Sequence, residues 1–241
     1  MKYFKIYFFL IVYGMCSLQG AAQTVIKGFE FGEIMNIAET YRQMPSLSFN
    51  MIFTYSDSLS QDSTMEQLKA SYKIQNGKFW ALIDSTEMVQ GLTYNLSIYH
   101  LDSVITISAP QPAADVMRLP FLDSLFRAQN IDSMNVTKVN DTTKSLRMYF
   151  NPASQYTSCI MQYDLSSFLL RSITYVMKTG GPNNSTNNTS TSTLKISFTN
   201  YSFALIDDNY FREDKFIYKQ DGQYYGQPPY NNFQLVVNAT N

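Results

Sequence analysis

The chain has 241 residues with a net charge of −1, 15% charged and 15% aromatic residues, and 18 Tyr and 17 Phe against one Trp and one His. A balance this close to neutral argues against a nucleic-acid partner. Charge this far below the roughly 25% of an average domain leaves Ser, Thr, Asn and Gln to make the polar surface, which suits work outside the cytoplasm.

Residues 1–23 read as a signal peptide. Lys2 and Lys5 give the positive start, residues 6–13 the apolar run, and Gly20, Ala21 and Ala22 the small residues before a cleavage near Gln23. The run is too short for a comfortable membrane span. The sequence therefore predicts export to the periplasm or cell envelope, with residues 24–241 as one domain and no transmembrane span in the mature chain. Met15 is bulky where a lipidation signal at Cys16 would take a small residue. With Cys16 removed, Cys159 stands alone, in an alternating run that reads as a strand, and is expected to be a small core residue.

Ile34, Ile37, Ala38, Tyr41 and Met44 form one apolar helical stripe, which Pro45 ends. Phe49, Met51, Phe53 and Tyr55 then alternate with Ser48, Asn50 and Thr54 as a half-buried strand, with Ile52 the break on the polar side. Residues 56–64 are a polar loop. Leu68, Ala70, Tyr72 and Ile74 alternate up to Asn76-Gly77, the strongest short hairpin signal. A two-residue turn there pairs Ile74 with Phe79, Tyr72 with Ala81 and Ala70 with Ile83. It puts Trp80 and Leu82 on the opposite face, where another element is needed to cover them.

Residues 86–98 read as one further extended segment, followed by a turn at 101–103 and a short strand at 104–107. His100 lies beside that turn with no partner to make it a base. After Pro110 and Pro112, residues 113–130 read as helix, restarted at Pro120, with Phe121, Leu122, Leu125 and Phe126 on one side. Strands return at 134–139, 145–150, 156–163, 169–177 and 194–203, and the low-complexity residues 179–193 read as a mobile hairpin tip. Residues 233–237 read as an edge strand or as the cover for Trp80 and Leu82.

The chemistry of common enzymes is missing. One His and one mature Cys do not make the usual zinc sets, and there is no nucleophile elbow, phosphate loop or dinucleotide fingerprint. No cofactor and no catalytic residue is predicted. Asp207-Asp208 reads as a solvated turn. Asp-Ser or Asp-Thr recurs at Asp57, Asp62, Asp84, Asp102, Asp123, Asp132 and Asp141. This resembles an O-glycosylation signal of Bacteroidetes-type exported proteins; strand-end turns explain it equally well.

The order of elements resembles the LolA-like outer-membrane lipoprotein-carrier superfamily. It has an amphipathic helix, a strand with Ser48-Phe49, and a hairpin at 68–83. A segment at 87–94 and a helical insertion at 119–126 follow, then a late strand at 194–203 and Asp208-Asn209-Tyr210-Phe211. The resemblance implies a mainly β (α+β) fold: an incomplete antiparallel β-barrel with an N-terminal amphipathic helix and a helical lid over the concave face. It also implies a lipid or an acylated protein as partner, with an envelope protein as a possible second one. The ligand would meet Phe49, Met51, Phe53, Tyr72, Ile74, Phe79 and Ile83 on the sheet and Phe121, Leu122, Leu125 and Phe126 on the lid. The other reading is a non-enzymatic envelope scaffold or interaction module with a packed core. An open or a filled space between lid and sheet separates the two.

Overall fold

The computed structural model describes residues 29–57, 66–112, 131–179 and 190–238. Helix α1 (Phe29–Gln43) leads into β1 (Ser46–Asp57), β2 (Glu66–Gln75), β3 (Lys78–Ile83), β4 (Thr86–Gln90), β5 (Asn95–Tyr99) and β6 (Val104–Ser108). Then come β7 (Ile131–Asn140), β8 (Thr143–Phe150), β9 (Tyr156–Asp164), β10 (Leu170–Thr179) and β11 (Ser190–Ser202). The tail adds β12 (Ile217–Gln220), β13 (Gln223–Gly226) and β14 (Gln234–Val237). β12 and β13 form a separate hairpin, and the rest make one sheet of twelve strands, in the order β14-β6-β5-β4-β3-β2-β1-β11-β10-β9-β8-β7. Its pairings are antiparallel except for β14, which runs parallel to β6. The edges β14 and β7 do not pair, so the sheet is open. A twisted sheet of this width curls rather than lying flat. The side against which α1 packs is its inner face.

The local signals explain the first elements. Ile34, Ile37 and Tyr41 of α1 are buried on the inner face, with Ala38 and Met44 packed beside them. The helix stops two residues before Pro45. Asn76 and Gly77 take φ of 51° and 76°, the left-handed conformation that a two-residue hairpin turn requires. The β2–β3 register follows: Ile74 opposite Phe79, Tyr72 opposite Ala81 and Ala70 opposite Ile83.

Two expectations need correction. Residues 86–98 are not one extended segment but β4 and β5, joined by a turn at 91–94. The Glu213 carboxylate makes this turn by accepting the Thr93 and Tyr94 amides at 2.9 and 2.7 Å. A Cβ at Gly91 would lie 2.6 Å from Glu213 Oε1 and 2.9 Å from the Phe211 carbonyl, so only glycine fits. Residues 190–193 belong to β11 rather than to a loop. Thr191, Ser192 and Thr193 pair with Lys178, Met177 and Val176, and Ser192 and Thr193 also pair with Asp57 and Ser56.

The apolar side of the sheet changes over between β3 and β4. On β1 to β3 most of the large apolar residues face inward, on the side of α1, with Ile52, Trp80 and Leu82 on the outer face. From β4 onward Val89, Leu96, Ile98, Ile105 and Ile107 share the outer face with Trp80, as their registers require. The tail covers them with Phe216 and Ile217, and with the rings of Tyr224, Tyr230 and Phe233. This is the cover that Trp80 calls for. Tyr210 meets the indole at a centroid distance of 5.1 Å, and Glu87 accepts its N–H at 2.6 Å. Leu82 is left at the surface.

Two buried glutamines hold the chain on either side. Gln75 accepts the Ile206 amide at 2.8 Å and donates to the Ile206 carbonyl at 3.2 Å on the outer face. Gln90, on the inner face, accepts the Gln111 amide at 2.9 Å and donates to the carbonyls of Gln111 and Gly77. Each side-chain amide imitates a strand partner and so pairs backbone that no strand reaches.

Candidate ligand-binding face

The inner face has two ends. At the end where β1 begins, α1 packs against it through two polar clusters set in apolar surroundings. Glu33 is buried and takes Lys144 and the Tyr163 hydroxyl on its two oxygens, each at 2.7 Å. Tyr41, Tyr201 and the Leu170 peptide close a ring: Leu170 N–H to the Tyr41 hydroxyl at 3.0 Å, and the Tyr201 hydroxyl to the Leu170 carbonyl at 2.8 Å. The 2.6 Å contact between the two hydroxyls completes it. Phe49 sits beneath, stacked on Tyr72 with centroids 5.5 Å apart and edge-on to Tyr41.

The other end, away from α1, is less covered. Leu68, Ile83, Ile131, Met134, Tyr156, Met177 and Leu194 are apolar side chains there that are only partly buried, all packed on the same cluster. Burial pushes the phenol of neighbouring Tyr72 up to about 12 and raises the Cys159 thiol well above its usual range. Beyond β3 the face becomes mixed: polar Thr86, Asn95, Ser97, Thr106 and Ser108 alternate with the half-buried Met88, Tyr99 and Val104.

The residues predicted from sequence fall into three groups. Phe49, Met51, Phe53, Tyr72 and Ile83 belong to one inner-face cluster. Phe49 and Met51 are filled by the protein itself, whereas Tyr72 and Ile83 stay half-buried. Ile74 and Phe79 lie on the same face, paired with each other, but outside that cluster. Phe121, Leu122, Leu125 and Phe126 lie outside the described residues. The sequence reading missed the contribution of β7 to β11, which supply more than half of the buried cluster, Leu146, Met148, Met161, Tyr175 and Ile196 among them, with Met134 packed against it. Their alternation was visible; that β11 pairs with β1 and joins the two halves was not.

Other groups are placed elsewhere. His100 Nε2 lies 3.3 Å from Glu87 on the outer face, beside the rings of Tyr230 and Phe233. Asp207 accepts the Asn209 amide in a tight turn, and Asp208 pairs with Lys78. Among the described residues no group of three His, Cys, Asp or Glu could hold a metal, and no helix is long and apolar enough to cross a membrane. An open cleft of about 360 Å³ on the outer side of β2 and β3 is lined by Gln67, Lys69, Ala70, Ser71, Leu82 and Asp84, mostly polar groups.

No protein-family model and no curated protein matches the chain. Solved structures do. A LolA superfamily protein from Nitrosomonas europaea shares 10% identity at a TM-score of 0.33, over 75% of this chain and 98% of that one. An outer-membrane lipoprotein-sorting protein domain from Vibrio parahaemolyticus shares 11% at 0.34, over 76% and 96%. The Mycobacterium tuberculosis lipoprotein LppX shares 9% at 0.34, over 73% and 97%. The chain thus has LolA-superfamily and lipoprotein-sorting structures among its neighbours.

Proposed function

We propose that the protein is an exported, non-enzymatic carrier or binder of an acyl-chain ligand, a lipid or an acylated protein, working in the periplasm or cell envelope. The observation that carries this reading is the half-buried apolar patch left on the inner face beyond α1. Apolar side chains of this size are normally covered, and Met and aromatic residues adapt well to a flexible chain because they offer area without needing polar partners.

In this reading residues 113–130, with Phe121, Leu122, Leu125 and Phe126, cover the bound chain. Two placements support that. Gln90 holds Gln111 on the inner face, and Ile131 re-enters at the opposite edge of the sheet. The signal-like run at residues 1–23 supports export, and intact mass of the secreted protein is expected to begin at Thr24.

The test is displacement of a fluorescent fatty acid from delipidated protein. Ile83→Asp puts a charge into the patch at a half-exposed position, so it spares the fold but weakens binding by about tenfold or more. Phe126→Ala is expected to weaken binding while leaving the melting temperature of the free protein unchanged. If both variants bind as the wild type does, the patch is not the site.

A further inference from the structure

Tyr175 lies in the middle of β10 on the inner face, flanked across the sheet by Cys159 on β9 and Leu194 on β11. Its ring packs 5.7 Å from that of Tyr156, which itself lies 5.9 Å from Phe150. The side chain is 6% exposed. Among the buried polar side-chain atoms of the described residues, its hydroxyl is the one with no hydrogen-bond partner. Three other phenols buried on this face are satisfied: Tyr41 and Tyr201 by each other and Leu170, Tyr163 by Glu33. An unpaired buried hydroxyl destabilises a fold, and a phenylalanine would fill the same space without that penalty. The group also sits at the less covered end, beside the partly buried Leu194 and one strand pair from Met177.

We propose that the Tyr175 hydroxyl is the polar anchor of the site, donating a hydrogen bond to an sp² oxygen, carboxylate or ester carbonyl, at the head of the bound acyl chain. This rests on the acyl-binding reading and adds to it a polarity and an orientation. The head lies at Tyr175, and the tail runs over Ile83 and Leu68 on the far side of β1. Burial raises the phenol far above its ordinary range, so the group remains a donor at every physiological pH.

The experiment compares wild type and Tyr175→Phe as delipidated, full-length mature proteins. Palmitic acid, methyl palmitate and hexadecane compete in turn with 1-aminoanthracene, a dye that carries no carbonyl. Loss of one hydrogen bond is expected to cut the preference for the oxygenated ligands over hexadecane by roughly 3–10-fold. Hexadecane affinity stays unchanged, and the ligand-free variant melts higher than the wild type. A loss confined to palmitic acid identifies a carboxylate as the head group, and a loss confined to methyl palmitate an ester. Equal preference in the two proteins overturns the anchor and leaves the acyl-binding reading in place. If neither protein binds any of the three ligands, both fall.

Discussion

Tyr41, Tyr201 and the Leu170 peptide close their ring in one sense only. The Tyr201 hydroxyl donates to the Leu170 carbonyl, so the proton between the phenols belongs to Tyr41, whose oxygen in turn accepts the Leu170 amide. Burial, above all, pushes both phenols above their ordinary range. A folded-state pKa above the unfolded one means that the stabilisation is complete below about pH 10 and is lost as pH rises beyond it. Wild-type stability, followed by urea unfolding, is therefore expected to fall above about pH 10. Tyr201→Phe leaves the Leu170 carbonyl unpaired and costs about 1–3 kcal/mol at neutral pH. It also makes the alkaline decline shallower; a slope equal to that of the wild type would show that the ring does not titrate as a unit. At the other end of α1 the buried Glu33 carboxylate is tolerable only with Lys144 and Tyr163 both in place.

Among the elements, what could be read from sequence was what is decided locally. The α1 stripe, the stop at Pro45, the alternation of β1 and the Asn76-Gly77 hairpin each depend on residues within one turn or one strand pair. The turn at 91–94 was hidden because its organiser, Glu213, lies 120 residues from Thr93 in sequence. The Ser- and Thr-rich start of β11 looked like a loop by composition. Pairing with β10 on one side and β1 on the other overrides that preference. Ile74 and Phe79 lie on the face that the alternation gives them but outside the cluster beneath α1, since a face is a matter of parity and a cluster a matter of what packs above it. Tyr175 had no signal in sequence, where a partnered and an unpartnered tyrosine look the same. Gly91→Ala tests the turn. The new methyl meets Glu213 and the Phe211 carbonyl, so a loss of about 1–3 kcal/mol is expected in denaturant unfolding. Wild-type stability would mean that the tail does not press on the turn.

At the scale of the molecule, one wide sheet carries two apolar surfaces on opposite faces, each with its own cover. α1 covers part of the inner face, and the tail covers the outer face of β4 to β6. The edges are managed separately. β14 has only four residues, and the longer β7 carries register shifts at both ends and an exposed Lys138, devices that discourage edge-to-edge pairing. What remains without a full cover among the described residues is the inner face beyond α1, and an acyl ligand is the occupant proposed for it. A ligand that binds only the folded state stabilises it by mass action, by about 2.7 kcal/mol at a hundredfold excess over Kd. Each added methylene that becomes buried contributes about 0.8 kcal/mol. The most direct measurement is the melting temperature of the delipidated protein against saturated fatty acids of increasing length. The account predicts a concentration-dependent rise that grows with chain length until the patch is filled. No shift at any length or concentration would contradict it and leave a packed envelope module in its place.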